Sequence, residues 1–281
     1  MRSDLNWNEN GQCAIGGQLL TLEKNLDNIF MAIASKYKAV EYRFPAVILA
    51  AELQKIDYFH SFPHLLMFPI SLGRDEKNLK AFAESDALNS EGEVRLKELS
   101  PVKGVLTPAA CYHFYALLKG QELTSPQFFT TRATCFRCEE VYEPPKRQWN
   151  FSMREIVCLG SVDEVKSFLE NCREHVEKLL QNLDLSCEFK PATDPFFNPS
   201  RNPKYLAQKL DPVKTEMIFN DLAIGSINFH RNYFGEAFQI SREGKECFSG
   251  CVAFGLERWL YAILTRYGAD EKKWPDLSKF L

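Results

Sequence analysis

The chain has 281 residues, 45% of them hydrophobic, with 34 basic against 37 acidic side chains and a formal net charge of -3. A chain of that size supports one large domain burying roughly three quarters of its unfolded surface. The charge balance excludes a uniformly basic nucleic-acid binder, so a charged partner must meet a local patch. No basic region precedes an apolar run at the N-terminus, and no stretch approaches the roughly 18 apolar residues of a membrane helix. A soluble, cytoplasmic protein without membrane contact is the expectation. Nine cysteines, an odd number scattered without a compact framework, argue for free thiols or metal ligands over a secreted disulfide scaffold.

In chain order, Leu22, Leu26, Ile29, Phe30, Ile33 and Tyr37 recur at helical spacing and predict an amphipathic helix. The segment from Val40 to Leu72 reads as extended before Pro45, helical through Leu53, and strand again from Leu66 to Leu72. Residues 73–100 shift to charged and small side chains, which predicts a charged insertion outside the core, a helical excursion or a mobile segment, and not a domain linker. From Thr131 to Ser161 two polar-studded strands flank the basic, proline-containing loop EEVYEPPKRQ. Its arginine, paired acids and aromatic suit a nucleotide, and equally a solvated hairpin. Ser161 with Glu164 forms a capping box ahead of a long helix whose face runs from Val165 to Leu183 and includes Cys172 as core.

Beyond LSCEFKPATDPFF comes a lysine- and proline-rich turn, then three predicted strands, KTEMIFND, LAIGSINFH and GEAFQISRE. In CVAFGLERWLYAILTRYG, Val252, Leu256, Trp259, Leu260 and Ile263 line a helical face that Gly268 caps. Strands and helices mix without a regular βαβ repeat, which predicts an α+β fold, an antiparallel β-sheet flanked by helices. There is no internal repeat and no phosphate-binding glycine loop. Cys135 and Cys138 form a CxxC that a structural zinc site would pair with Cys247 and Cys251. On a strand, however, a spacing of three splits the two thiols between opposite faces, and no helix N-terminus is predicted there to acidify a redox thiol.

Phe136-Arg137-Cys138-Glu139 followed by a loop and Phe151, and later Gly255-Leu256-Glu257-Arg258 opening an apolar helix, resemble the second and third signature motifs of class II aminoacyl-tRNA synthetases. The stretch around Pro45 stands where the dimer-forming first motif lies. Within that class, TPAACYHFY, FRCEE with FSMREIVCLGS, NFHRNYFGEAFQI and CVAFGLERW resemble the atypical, zinc-dependent seryl-tRNA synthetases and their truncated relatives, the amino acid:carrier-protein ligases. Ordinary seryl enzymes have a Thr-Ala-Glu triplet where this chain has Ala109-Ala110-Cys111.

The resemblance implies one Zn²⁺ per subunit on Cys111, Glu155 and Cys251, with an open fourth position for the α-amino group of the amino acid. It implies ATP as substrate, with Arg137 as a catalytic contact to the α-phosphate and the substrate carboxylate. Arg258, the second catalytic arginine, holds the γ-phosphate end or lies against adenine. Glu139 accepts the adenine amine, Phe151 stacks on the ring or simply packs in the sheet, and Lys146 and Arg147 close over the phosphates. Mg²⁺ bridges phosphates, but Ala223 stands where seryl enzymes have a glutamate, leaving Glu216, Asp221 or Glu236 to serve. His230 and Asp194 read as pocket residues or as structural ones.

A single class II synthetase-like catalytic domain over residues 1–281, with no tRNA-binding domain and tRNA therefore not the expected acceptor, matches the truncated relatives. The implied function is activation of a small amino acid, glycine or alanine, as its adenylate. Transfer then goes to the phosphopantetheine thiol of an acyl or peptidyl carrier protein, and the implied enzyme is a homodimer. The alternatives are a seryl-like enzyme charging tRNA and a non-catalytic synthetase paralogue.

Overall fold

The computed structural model describes residues 4–280. Seven strands, β1 (Val40–Tyr42), β2 (Gln127–Phe136), β3 (Asn150–Gly160), β4 (Glu188–Ala192), β5 (Lys214–Phe219), β6 (Leu222–Arg231) and β7 (Phe248–Gly255), form one sheet in the spatial order β1-β2-β3-β7-β6-β5-β4. Neighbours are antiparallel except β1 against β2. The hairpin read at Thr131 to Ser161 is the β2–β3 pair, and Asn220 and Asp221, both at positive φ, make the tight turn between β5 and β6. Around the sheet lie α1 (Gly17–Lys36), α2 (Tyr112–Leu117), α3 (Val162–Asn182), α4 (Pro203–Leu210), α5 (Tyr233–Phe238) and α6 (Leu256–Tyr267).

Register decides what each face carries. Glu155 lies opposite Ala253, Val157 opposite Cys251, Asn228 opposite Cys251 and Ser226 opposite Ala253. Side chains alternate along a strand, so Glu155, Val157, Cys251, Ser226 and Asn228 share the front face, while Arg154, Ile156, Val252 and Phe254 share the rear. On the rear, α1, α3 and α6 bury Phe30, Phe168, Trp259 and their neighbours against Ile156, Val252 and Phe254. The front core joins Phe129, Val157 and Cys251 to Phe114 of α2 and Phe234 and Phe238 of α5. Covered on both faces, β3 is buried from Arg154 to Gly160.

Local signals explain the rear helices. In α3 the Ser161 hydroxyl accepts from the Glu164 amide at 3.3 Å, and the Glu164 carboxylate accepts from the Ser161 amide at 2.7 Å, closing the expected capping box. Cys172 is wholly buried there. The last helix ends at Gly268, as its position past the apolar face predicts.

Four readings change. Val252 belongs to β7, and the helix begins at Leu256. Residues 66–70 form no strand, because Pro69 interrupts the run and the Met67 carbonyl is taken by the Leu106 amide, at 2.9 Å. Residues 233–238 are helical, since Phe234 and Phe238, four apart, both enter the front core. The lysine- and proline-rich turn holds α4, opened by Asn202, whose side chain accepts from the Lys204 amide at 2.9 Å, and by Pro203 at the first position. In the 73–100 stretch, a helix spans Glu76–Ala83 and the rest is largely irregular. No helix among the described residues is long and apolar enough to cross a membrane.

Candidate active site

Three front-face side chains converge. Cys111 stands at the start of α2, Glu155 on β3 and Cys251 on β7, all buried, with their ligand atoms within 4.8 Å of one another. Glu155 Oε1 accepts from the Ala110 amide at 3.2 Å, whereas Oε2 is buried without a hydrogen-bond partner. An unpaired buried carboxylate oxygen costs about 1–3 kcal/mol or more. Two thiols and a carboxylate with a free lone pair suit a tetrahedral zinc ion, which would convert that cost into a bond. Among the described residues this is the one His/Cys/Asp/Glu group arranged to hold a metal. The CxxC is not such a group, since Cys135 is buried in β2 and Cys138 is exposed.

The thiols are electrostatically unequal. Hydrogen bonding, from the Cys111 thiol first, holds Cys251 well below the ordinary thiol range, and the same contact together with burial pushes Cys111 up. Burial, then the charge on Cys251, raises Glu155 to about 8. Asn228 Nδ2 donates to Cys251 Sγ at 3.3 Å, and His230 Nε2 lies 3.6 Å from the same sulfur. His230 Nδ1 in turn meets Tyr115 Oη at 3.0 Å and Ser249 Oγ at 3.2 Å, so its ring is oriented from both sides.

A second cavity, lined by cations, sits where the β2–β3 loop meets β6 and α6. Arg137, Lys146, Arg147 and Arg258 border it with Glu139 and Phe151. Arg258 Nε donates to the Lys146 carbonyl and Nη1 to the Ala223 carbonyl, each at 2.8 Å. Burial first, then the neighbouring Arg137 and Arg147, lower Arg258 to about 10, which leaves it charged at neutral pH. Glu139 is ion-paired to Arg147 at 3.1 Å, Lys146 to Glu143 at 2.6 Å, and the Arg137 guanidinium lies 5.1 Å from the Phe151 ring centre. Crowded guanidinium groups of this kind suit a polyanion.

The two cavities share a wall. Arg137, Met153, Lys214 and Ser226 line both the cation cavity and the larger, mostly apolar one that holds Cys111, Glu155 and Cys251. Of the acids considered for Mg²⁺, Glu216 borders the cation cavity, where Lys214 pairs with it at 3.2 Å. Asp221 lies in the β5–β6 turn, and the exposed Glu236 takes a hydrogen bond from the Asn232 side chain at 2.6 Å. Asp194 borders the larger cavity and is held by Gln208 at 2.9 Å and Lys214 at 3.3 Å.

Sequence reasoning overlooked Lys214, Ser226 and Met153. Lys214 lies opposite Asn228 and Glu216 opposite Ser226, so alternation along β5 and β6 puts all four on the face of Cys251. That signal becomes readable only once the register of β5, β6 and β7 is known.

No family model matches the chain. Amino acid–acyl-carrier-protein ligase 1 of Bradyrhizobium diazoefficiens is 34% identical over 243 residues, covering 83% of this chain and 73% of that protein. A type-2 serine–tRNA ligase of Methanococcus aeolicus is 28% identical over 258 residues, 85% of this chain and 49% of that protein. Among solved structures, M. kandleri SerRS, determined in complex with A. aeolicus tRNASec, superposes with a TM-score of 0.77 at 19% identity, over 97% of this chain and 56% of that one. The chain thus spans about half the length of the serine–tRNA ligases it matches, and the likeness to SerRS shows a class II synthetase-like fold.

Proposed function

The chain belongs to the amino acid–acyl-carrier-protein ligases, ligase enzymes on a class II synthetase-like fold, and on that premise we propose that it activates a small amino acid with ATP and passes it to the phosphopantetheine thiol of a carrier protein. The observation that carries the reading is the shared wall. Arg137 borders both the cation cavity and the cavity of Cys111, Glu155 and Cys251, so a carboxylate on one side and an α-phosphate on the other would meet at one guanidinium.

Zinc held by Cys111, Glu155 and Cys251 would supply a Lewis-acidic open position for the α-amino group. His230 and Asn228 orient the Cys251 sulfur from within the same cavity. Arg137 holds the substrate carboxylate and the α-phosphate together, so that carboxylate oxygen attacks phosphorus in line and the bond to pyrophosphate breaks. Lys146, Arg147 and Arg258 take charge on the departing phosphates. Glu139 exchanges its partner Arg147 for the adenine amine, Phe151 backs the ring, and Glu216, which borders that cavity, would hold Mg²⁺. In the second step the carrier thiolate attacks the acyl carbon and AMP leaves with the carboxylate oxygen it gained. Glycine and alanine are the substrates we favour. Lysines and arginines from Lys204 onward would meet an acidic carrier.

We assign the homodimer contact to the exposed apolar side chains Val40, Tyr42, Val47 and Leu49 beside the sheet edge. The decisive experiment is amino-acid-dependent pyrophosphate exchange across the amino acids, followed by mass spectrometry of a phosphopantetheinylated carrier protein. A thioester on the carrier supports the reading. Labelled tRNA with an unmodified carrier overturns it in favour of tRNA charging.

A further inference from the structure

A short hairpin precedes α1, formed by the strands Leu5–Trp7 and Cys13–Ile15. Its turn is internally braced. The Asn8 side-chain oxygen accepts from the Asn10 amide at 3.0 Å and the Gln12 amide at 3.3 Å, and the Asn8 carbonyl accepts from the Gly11 amide at 3.1 Å. This turn is docked on the β2–β3 loop that borders the cation cavity. The Gly11 carbonyl accepts from the Trp149 amide at 3.0 Å, at the point where the loop enters β3.

Gly11 also has no room for a side chain. Its φ is +79°, and a Cβ there would lie 2.4 Å from Tyr142 Cδ1 and 2.5 Å from Cγ, far inside van der Waals contact. Tyr142 is a loop residue whose hydroxyl accepts from the Glu139 amide at 3.5 Å. One residue further on, the Glu143 amide donates to the Arg147 carbonyl and the Arg147 amide to the Glu143 carbonyl, at 2.8 and 2.9 Å. The turn therefore touches the loop at Tyr142 and Trp149, on either side of Lys146 and Arg147. Within the loop, Tyr142 connects directly to Glu139.

We propose that this hairpin turn is a strap that sets the position of the ATP-facing loop, with Gly11 as its positioning residue. The inference rests on the reading of the cation cavity as the ATP site. It requires glycine at position 11 for two separate reasons: the left-handed backbone, and the direct seat of Tyr142 against its Cα. A side chain there displaces Tyr142, and with it Glu139, Lys146 and Arg147, while the ligand cluster at Cys111, Glu155 and Cys251 on the far side of the shared wall stays where it is.

The test is pyrophosphate exchange by the full chain with glycine or alanine, whichever supports it, titrating ATP and the amino acid separately. Gly11→Val raises KM for ATP about tenfold, a modest share of what an ångström-scale misplacement can cost, with KM for the amino acid within about twofold of the unmodified chain. Tyr142→Ala has the same ATP-specific effect, and Gly11→Val added to it contributes less than it does alone, because the ring contacts at 2.4 and 2.5 Å are gone while the left-handed backbone and the contact with the residue 142 Cβ at 3.0 Å remain. Equal rises in both KM values, or fully additive effects of the two substitutions, overturn the strap. If Gly11→Val does not fold, Tyr142→Ala decides alone, and an unchanged KM for ATP overturns the proposal. Absence of exchange by the unmodified chain with every amino acid strikes the ATP reading itself, a result separable from any difference between variants.

Discussion

Arg154 and Glu155 are neighbours on β3 and point to opposite faces of the sheet, yet they are treated in opposite ways. Arg154, 3% exposed, is fully partnered on the rear face. Its Nε and Nη2 donate to the two oxygens of Asp27 at 2.7 and 2.8 Å, and Nη1 donates to Glu41 at 2.8 Å. Glu155, 4% exposed, keeps one oxygen without any partner on the front face. Burial depth is the same; satisfaction is not. The rear network ties α1 to β1 and β3 and engages all three guanidinium nitrogens in structure. On the front, the unspent oxygen, the paired thiols and the crowded arginines remain available to ligands.

The comparison breaks first at the proposed metal ligands. Cys111→Ala or Cys251→Ala removes one of three donors. Bound zinc, measured by mass spectrometry of the purified protein, and amino-acid-dependent pyrophosphate exchange are both expected to be lost while the fold persists. Full exchange by a zinc-free variant would end the metal assignment. On the rear face the expectation reverses. Arg154→Met takes both close hydrogen bonds from Asp27, leaving it Arg132 Nη1 at 3.7 Å, and should cost about 3 kcal/mol by denaturant unfolding, the low end for breaking a buried pair, with zinc stoichiometry in the surviving folded protein unchanged. Zinc loss without loss of stability would show that the two faces are not independent.

How much of this contrast was legible in the sequence follows from which interactions are local. The capping box at Ser161 and Glu164, the apolar face of α1 and the hairpin of β2 and β3 could be read directly, because propensity, spacing and turn chemistry lie within a few residues of each other. Cys111, Glu155 and Cys251 came together only through resemblance, since 44 residues separate the first two and 96 the last two, and only the sheet register brings their ligand atoms within 4.8 Å. Lys214 and Ser226 were not found for the same reason. The α5 error is of another kind: GEAFQISRE alternates well enough for a strand, and only burial of Phe234 beside Phe238 decides for a helix. Arg154, partnered by residues more than a hundred positions away, carries no local signature of its role at all.

A third prediction sharpens the division within the front face itself. Arg258→Ala should lower kcat/KM for ATP about 10²–10³-fold, the range for removing one preorganised charge contact, and leave bound zinc intact. That outcome separates the cation cavity from the ligand cluster as two functional units sharing a wall. An unchanged kcat/KM would instead undercut the assignment of Gly255-Leu256-Glu257-Arg258 to nucleotide binding.

The smallest effect concerns Glu257, which borders the cation cavity but is partnered like a rear-face residue, both carboxylate oxygens lying 2.9 Å from the Ser152 amide that donates to them. Burial raises it from an ordinary 4.5 to about 7, against the opposing pull of its own backbone amide and then of Ser152. Between those values the folded chain holds a proton that the unfolded chain has released. The stability this contributes is complete below about pH 4.5 and is lost as pH rises through about 7. Glu257→Gln keeps the shape without the proton, so the melting temperature should decline less steeply between pH 5 and 7.5 in the variant than in the unmodified chain. Parallel curves would mean that the Ser152 amide outweighs desolvation and that Glu257 is ionised throughout. In that case a hydrogen bond from one backbone amide is enough to move a buried carboxylate from the unsatisfied class of Glu155 to the satisfied class of Arg154.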